Sequence, residues 1–323
     1  MQSNLSVKNT WKKLKQSSIL GALVAFVVVV IVMSVASNTF FTKNNLTNLI
    51  RQGAVLSVVA IAQSLVIITG GIDLSVAPVV SLSTVLTASL ITDHGMNWVL
   101  AALIAIVACM LCGTINGVLV TFVKIPPIIA TLATSMAYQG LCLLYTKGYG
   151  INLPAENGLT ALIGRGKLLG IPVSGYIIVV IYAIFLVVMK YTMTGRVTYG
   201  LGGNSEAVYL SGVSANKYRV RVYLLSGMLA GIAGVMLTAR LNGGHPYNGE
   251  GFDMDSVASS VLGGISVAGG TGTLGGTLLG VFILTMITNG LNMINMNTYV
   301  QMMIKGLIIV LAIGFGCMRS KKK

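Results

Sequence analysis

Apolar runs separated by short polar segments repeat along the whole chain. A run of roughly 17–25 apolar residues is long enough to cross a bilayer as a helix. The pattern predicts about ten such spans, at 19–36, 53–70, 76–92, 97–122, 127–145, 171–190, 221–239, 255–268, 273–290 and 299–317. We therefore expect an all-α integral membrane protein that forms a single transmembrane domain over residues 1–323.

Two places interrupt the spans with glycine and polar residues. The first, at 70–76, reads Gly-Gly-Ile-Asp-Leu-Ser-Val, and the second, at 263–273, contains Gly-Gly-Ile and then Gly-Gly-Thr-Gly. Non-helical backbone at membrane depth is tolerated only where protein or a water-filled cavity surrounds it. Both places are predicted to be broken or re-entrant segments. Their shared Gly-Gly-Ile fits an inverted repeat of the two halves, and chance similarity explains it equally well.

Composition and charge agree with a membrane protein. The chain is 55% hydrophobic and 9% charged, whereas soluble domains carry roughly 25% charged residues. Its net charge of +14 is not a nucleic-acid signal, because the basic residues stand at the ends of apolar runs. Fourteen of the 21 Lys and Arg residues fall on the side of the N-terminus, which the positive-inside rule makes cytoplasmic. Both termini are expected there, with the run at 19–36 kept as the first membrane helix.

A few polar residues lie within the spans or at their breaks. Because such side chains are costly in lipid, they face the bundle interior or a water-filled path. Asp73 either caps the helix after the first break or contacts a substrate, and Asp255 is expected to cap the eighth span. Gln63, Asn116 and Asn289 either line a path for a hydroxyl-rich solute or form helix–helix hydrogen bonds.

The longest candidate cytoplasmic connection, at 191–220, contains the pattern of a short helix. Asn204 or Ser205 is a candidate N-cap, and Glu206 follows in the first turn, where a negative charge suits the helix dipole. The helix is expected to end near Gly212. A short helix outside the membrane is expected to contact a soluble partner.

Three stretches resemble the ribose-type sugar ABC permeases. One, at 202–213, contains Gly-Gly-Asn-Ser-Glu-Ala and then Leu-Ser-Gly-Val; another is the first break. The third begins at Phe252 with Phe-Asp-Met-Asp-Ser-Val and continues through the second break. The order and spacing of the three stretches fit essentially the whole chain. Two departures, Ala77 where the family has Gly and Val208 where many members have a second Ala, bear on subgroup rather than family.

The resemblance implies a mechanism and a set of partners. Two permease subunits, identical or paralogous, would form the pathway at their interface, and a periplasmic or lipid-anchored protein would deliver the sugar. ATP would be bound by a separate chain with two fused ATPase domains, so this chain needs no cofactor. In the family the loop at 202–213 docks into a cleft on the ATPase, which assigns coupling to Gly202, Gly203, Glu206, Ala207, Ser211 and Gly212.

Other functions remain open at this point. The same family also carries other cargo, such as nucleosides or signal molecules. An ion-driven carrier would need ionisable residues within the membrane, for which Asp73 and Lys305 are the candidates. An enzyme is disfavoured, because the sequence shows no nucleophile with a base, no paired carboxylates, no metal-ligand cluster and no GxxxxGK[ST] motif for ATP.

Overall fold

The computed structural model describes residues 18–320, which are mainly helical. Its α-helices are α1 (Ser18–Ala36), α2 (Lys43–Ile68), α3 (Val76–Thr92), α4 (Trp98–Thr121), α5 (Pro127–Thr146), α6 (Val173–Tyr191), α7 (Met193–Gly203), α8 (Ser205–Leu210), α9 (Ala215–Leu241), α10 (Phe252–Leu262), α11 (Leu274–Met293) and α12 (Thr298–Ser320). A π-helical turn spans Thr160–Gly164. The strands have two residues each: β1 (Ile151–Asn152), β2 (Lys167–Leu168), β3 (Ile171–Pro172) and β4 (Gly243–Gly244). The predicted all-α class is confirmed.

Six of the described helices are long and apolar enough to cross a membrane, namely α2, α4, α5, α6, α9 and α11. Two shorter apolar helical stretches are Leu20–Ala36 within α1 and the whole of α3. The spans predicted at 19–36, 76–92 and 127–145 lie within a residue or so of α1, α3 and α5. The total of about ten spans stays a prediction.

Two predicted spans have different limits in the structure. The span predicted at 53–70 belongs to a longer helix that begins at Lys43, because its first turns are polar and hydropathy alone does not register them. The span predicted at 255–268 is α10, whose 11 residues give only about 16 Å of helix. That is about half of a hydrocarbon core. The backbone is non-helical after it and also between α2 and α3, so both predicted breaks are confirmed.

The bundle has a buried centre and an apolar outside. We compare the 18 consecutive residues of each helix that are most apolar. Of these, 83% are buried in α2 and 78% in α9. Only 33% are buried in α4, 22% in α5 and 33% in α6. The outer helices expose large apolar side chains, such as Leu111 in α4 and Met136 in α5. Surfaces of this kind are stable against lipid or another protein rather than against water. The fold therefore places α2 and α9 at the core.

Helices α4 and α9 make the most extensive helix–helix contact in the described bundle. Glycines spaced four residues apart line both sides of it: Gly113 and Gly117 in α4, Gly227 and Gly231 in α9. A Cβ atom on Gly113 would overlap the carbonyl oxygen of Tyr223, and one on Gly227 would overlap that of Cys109. Small residues at such spacing let two membrane helices approach backbone to backbone.

The two ends of the bundle are built differently. At one end β1 pairs antiparallel with β4, with Ile151 opposite Gly244, and this ladder ties the α5–α6 connection to the end of α9. At the other end α7 follows α6 and lies beside the two breaks, and α8 packs against α7. This second end carries most of the residues that the sequence assigned to coupling.

Candidate functional site

Asp73 lies in the first break and is only 2% exposed. Its Oδ1 atom accepts hydrogen bonds from the backbone N of Ser75 at 3.0 Å and from Ser75 Oγ at 2.6 Å. Its Oδ2 atom accepts from Ser226 Oγ of α9 at 3.0 Å. Ser75 is the N-cap of α3, so the carboxylate of Asp73 holds the residue that starts this helix and also attaches the break to the central helix.

Gln63 and Asn116 join the same cluster from two other helices. The side-chain amide of Gln63 in α2 pairs with the backbone of Asp73, donating to its carbonyl at 3.0 Å and accepting from its N–H at 3.3 Å. Asn116 in α4 donates from Nδ2 to Ser75 Oγ at 2.6 Å. Both side chains are fully buried. The structure thus brings three predicted residues together in one interhelical network, in which Asn116 Oδ1 has no hydrogen-bond partner among the described residues.

The other two residues of that predicted group lie elsewhere. Asn289 of α11 is nearly buried, and its Oδ1 atom has no hydrogen-bond partner among the described residues. The expectation that Asp255 caps its span is wrong, because α10 begins three residues earlier and its N-cap is Gly251. Asp255 instead forms an ion pair with Lys305 of α12, with Oδ2 and Nζ 2.9 Å apart.

The short helix predicted after residue 203 is present as α8. Asn204 is its N-cap, and the Oδ1 atom of Asn204 accepts from the backbone N of Ala207 at 3.0 Å. Glu206 lies in the first turn, Ser211 is the C-cap, and Gly212 follows with φ of +77°. None of the residues of α8 is buried. Val208 is half-buried against α7, and the other residues of the helix are exposed.

Two apolar residues of α8 were missed by the sequence reasoning. Tyr209 and Leu210 are 73% and 77% exposed at the end of this helix. Exposed apolar side chains on a short helix outside the apolar spans are typical of a protein contact. The signal that would have found them is the Tyr-Leu pair itself, in a connection that is otherwise polar and glycine-rich.

Gly202, just before α8, rests directly on both breaks. A Cβ atom on Gly202 would overlap the carbonyl oxygen of Ile68, at the end of α2, and would also overlap the backbone N of Gly270 in the second break. The neighbouring Gly203 has open space at the same position. Tyr199 of α7 adds a hydrogen bond from Oη to the carbonyl of Gly272 at 2.9 Å. The end of α7 is thus packed against the point where the two breaks meet.

A further irregular segment, residues 245–251, lies between the spans predicted at 221–239 and 255–268, and nothing in the sequence indicated its position. The structure runs it along the middle of α3 and α5. Ser81 Oγ accepts from the N–H of Gly249 at 2.8 Å, and Gln139 Nε2 donates to the carbonyl of Pro246 at 3.0 Å. The segment ends at the start of α10. Helix α10 therefore begins inside the bundle instead of at its rim.

Comparison with known proteins decides the family. A family model described as the permease component of the branched-chain amino acid transport system matches residues 45–313. The chain belongs to this permease family. The ribose import permease protein RbsC of Bacillus subtilis (strain 168) is 39% identical over 294 residues, which covers 91% of each chain. RbsC of Escherichia coli (strain K12) is 37% identical over 294 residues, covering 90% of this chain and 91% of its own.

A third permease of the family with a different named sugar is also similar. The D-allose transport system permease protein AlsC of Escherichia coli (strain K12) is 33% identical over 304 residues, covering 91% of this chain and 90% of its own. No solved structure matches the chain. The expected membership of the ribose-type ABC permeases is confirmed. As a permease component, the chain is a multi-pass, non-catalytic subunit of the bacterial inner membrane that works with an ATPase and a substrate-binding protein.

Proposed function

We propose that this permease conducts a monosaccharide, a ribose-like pentose or a hexose, into the cytoplasm at the expense of ATP hydrolysed on a partner chain. The relatives named for ribose and allose support a sugar as the cargo. The structural observation that carries the proposal is the position of α8, which is fully accessible on one side and follows directly from Gly202 on the two breaks. This arrangement joins a docking surface to the interruptions of the transmembrane helices.

The proposed topology has about ten spans in one transmembrane domain, with both termini in the cytoplasm. The excess of basic residues on that side supports it. The contact between the two breaks, where Gly269 and Gly70 touch, supports an inverted arrangement of the two halves.

The proposed assembly contains two permease subunits, a chain with two fused ATPase domains and a sugar-binding protein on the outer face. The weakly buried helices α4, α5 and α6 leave broad apolar surfaces for lipid or a second subunit. Two copies of α8 would present Glu206, Tyr209 and Leu210 to the ATPase. Closure of the ATPase would then push on α8, and Gly202 would pass this displacement to the end of α2 and to the second break.

The pathway is proposed to run past residues 245–251 instead of through the buried Asp73 cluster. Non-helical backbone at the level of mid-helix residues must be covered by protein or line a water-filled cavity. In this segment Tyr247 is half exposed and Glu250 is exposed, while the backbone of Gly249 is fixed to α3. Phenol and carboxylate groups on a fixed backbone suit the hydroxyl groups of a neutral sugar.

The proposal is tested by purification and transport. The permease should co-purify with its double-domain ATPase in mild detergent, and proteoliposomes with the binding protein should take up radiolabelled ribose or allose only with ATP. Glu206→Lys should abolish this uptake by weakening ATPase contact. Glu156→Lys, which changes an exposed acid at the opposite end of the bundle, should leave uptake unchanged.

Two results would overturn the proposal. Uptake that follows an ion gradient without ATP would indicate a secondary carrier. Normal ATP-driven uptake by Glu206→Lys would remove α8 from the coupling mechanism. Competition by nucleosides but not by sugars would reassign the cargo while keeping the transporter class.

A further inference from the structure

A cavity lies at the end of the bundle that carries α7 and α8, apart from the buried Asp73 cluster and from residues 245–251. It is enclosed by the α4–α5 connection, the first break and the start of α9, and its volume is about 420 Å³. Small-molecule sites typically occupy about 300–1,000 Å³. The cavity is therefore large enough for a ligand with several heavy atoms.

The mouth of the cavity is positively charged. Lys124 is exposed and Arg219 half-buried, and both line the cavity, with Asn216 one turn before Arg219 on the same face of α9. No Asp or Glu among the described residues lines it. The first turn of α9 also has no acidic residue, and Ser214, its N-cap, makes no side-chain capping hydrogen bond. The positive end of the helix dipole thus adds to two cationic side chains without a local counter-charge.

Two residues that line the cavity carry buried hydroxyl groups. Tyr223 is 1% exposed and Thr121 is 5% exposed, and both line the cavity. Neither Tyr223 Oη nor Thr121 Oγ1 has a hydrogen-bond partner among the described residues. The carboxylate of Asp73 does not supply one, since its oxygens are engaged by Ser75 and Ser226. Buried hydroxyl groups without partners are destabilising, and a ligand that accepts hydrogen bonds would relieve this.

We propose that this cavity binds a phosphoryl group, presented either by a cytoplasmic sugar phosphate or by the headgroup of an anionic phospholipid. Guanidinium, ammonium and hydroxyl donors around one pocket are the usual set for a phosphate ester. A neutral sugar would pair with the hydroxyl groups but would leave Lys124 and Arg219 without counter-charge. The cytoplasmic location rests on the proposed function, whereas binding of the phosphoryl group does not.

Occupancy of the cavity has a consequence for transport. The cavity is lined by Thr69, Gly70 and Gly71, which belong to the first break, and Gly202 packs against Ile68, the residue directly before them. A ligand in the cavity would hold this backbone against α9. We therefore expect bound phosphoryl ligand to slow ATP-driven uptake, so that a sugar phosphate formed after import would reduce further import.

The test uses the full-length permease in nanodiscs made only of phosphatidylcholine. Binding of ribose 5-phosphate, inorganic phosphate and ribose is measured by titration calorimetry, and the melting temperature is recorded with each. The same measurements are repeated in nanodiscs that contain phosphatidylglycerol. Saturable binding of ribose 5-phosphate but not ribose supports a soluble ligand. Stabilisation by phosphatidylglycerol that prevents sugar-phosphate binding supports a lipid headgroup.

Variants decide whether the binding belongs to this cavity. Lys124→Gln with Arg219→Gln should weaken binding by about tenfold or more, since both charge-assisted contacts are lost. Tyr223→Phe should weaken it by about fivefold through loss of one hydrogen bond. Lys217→Gln, an exposed neighbour on α9 outside the cavity, should have no effect. The proposal is overturned if neither ribose 5-phosphate nor phosphatidylglycerol binds. It is also overturned if Lys217→Gln weakens binding as much as the cavity variants. Uptake of ribose by the same variants tests the proposed transport function, independently of phosphoryl binding.

Discussion

The backbone N–H of Gly270 donates a hydrogen bond to the carbonyl oxygen of Ile68 across 2.8 Å. This bond joins the end of α2 to the second break, which are about two hundred residues apart in the chain. Because Ile68 ends a helix, its carbonyl has no partner within α2 and is free to accept. The two broken regions are therefore directly bonded to each other, and Gly202 packs against this junction.

The first prediction concerns this junction. Gly202→Ala should reduce ATP-driven uptake by about tenfold or more, because overpacking of a tight contact costs about 1–3 kcal/mol. The added methyl group would overlap Ile68 and Gly270. Gly203→Ala is the matched control, since nothing lies within 4 Å of its new atom. Uptake and ATPase binding are measured for both variants. Equal uptake by the two would show that the contact at Gly202 does not transmit force.

The second prediction separates the charge of Asp73 from its hydrogen bonds. Asp73→Asn keeps an acceptor for Ser75 and should lower the free energy of unfolding by about 1–2 kcal/mol. Asp73→Leu leaves the donors of Ser75 and Ser226 buried without an acceptor and should prevent accumulation of folded protein. Fluorescence-detected size-exclusion chromatography after heating compares them. If both variants melt alike, the charge rather than the hydrogen bonding holds the break.

The third prediction concerns a buried cluster of hydroxyl groups. Ser64 of α2 hydrogen-bonds to Ser260 of α10 at 3.0 Å and to Thr277 of α11 at 2.9 Å. Ser64→Ala should cost about 0.5–2 kcal/mol, the usual value for hydrogen bonds between membrane helices. Ser57→Ala lies on the same helix, and Ser57 Oγ is buried without a described partner. This control should be neutral or slightly stabilising in a thermal melt. A larger loss from Ser57→Ala would contradict the assigned pairing.

The fourth prediction concerns the ion pair between Asp255 and Lys305. Their side chains are 21% and 27% exposed, so losing one partner should cost about 1–3 kcal/mol, between surface and buried pairs. Asp255→Lys combined with Lys305→Asp should recover most of that loss. The neutral pair Asp255→Asn with Lys305→Gln should keep ATP-driven uptake. Loss of uptake by a stable neutral pair would mean that these charges take part in transport.

Local signals in the sequence predicted much of this molecule. The N-cap at Asn204, the hydrogen bond from Ser75 to Asp73 and the two glycine breaks all depend on residues close in sequence, so their physics is visible in a short window. The cost of polar groups in lipid also predicted that Gln63 and Asn116 face inward. This cost does not distinguish side chains that line a pathway from side chains that bond to other helices, because the difference depends on which helices lie opposite.

Contacts between distant segments were beyond the sequence. Asp255 looked like a cap because it precedes an apolar run, but its partner Lys305 comes from another helix. Residues 245–251 looked like a surface loop because polarity alone does not give depth, and their hydrogen bonds to Ser81 and Gln139 place them beside the middle of two helices. The significance of Gly202 likewise arises only from the backbone that it touches.

The glycine-lined contact between α4 and α9 gives the permease a fixed reference from which distances can be measured. Because the glycines bring the two backbones into direct contact, the two helices resist sliding along each other. Spin labels placed at the ends of this pair should keep one separation in every nucleotide state. Distances from this helix pair to labels on α8 or α10 would then report how far α8 or α10 moves, because the reference pair itself stays fixed.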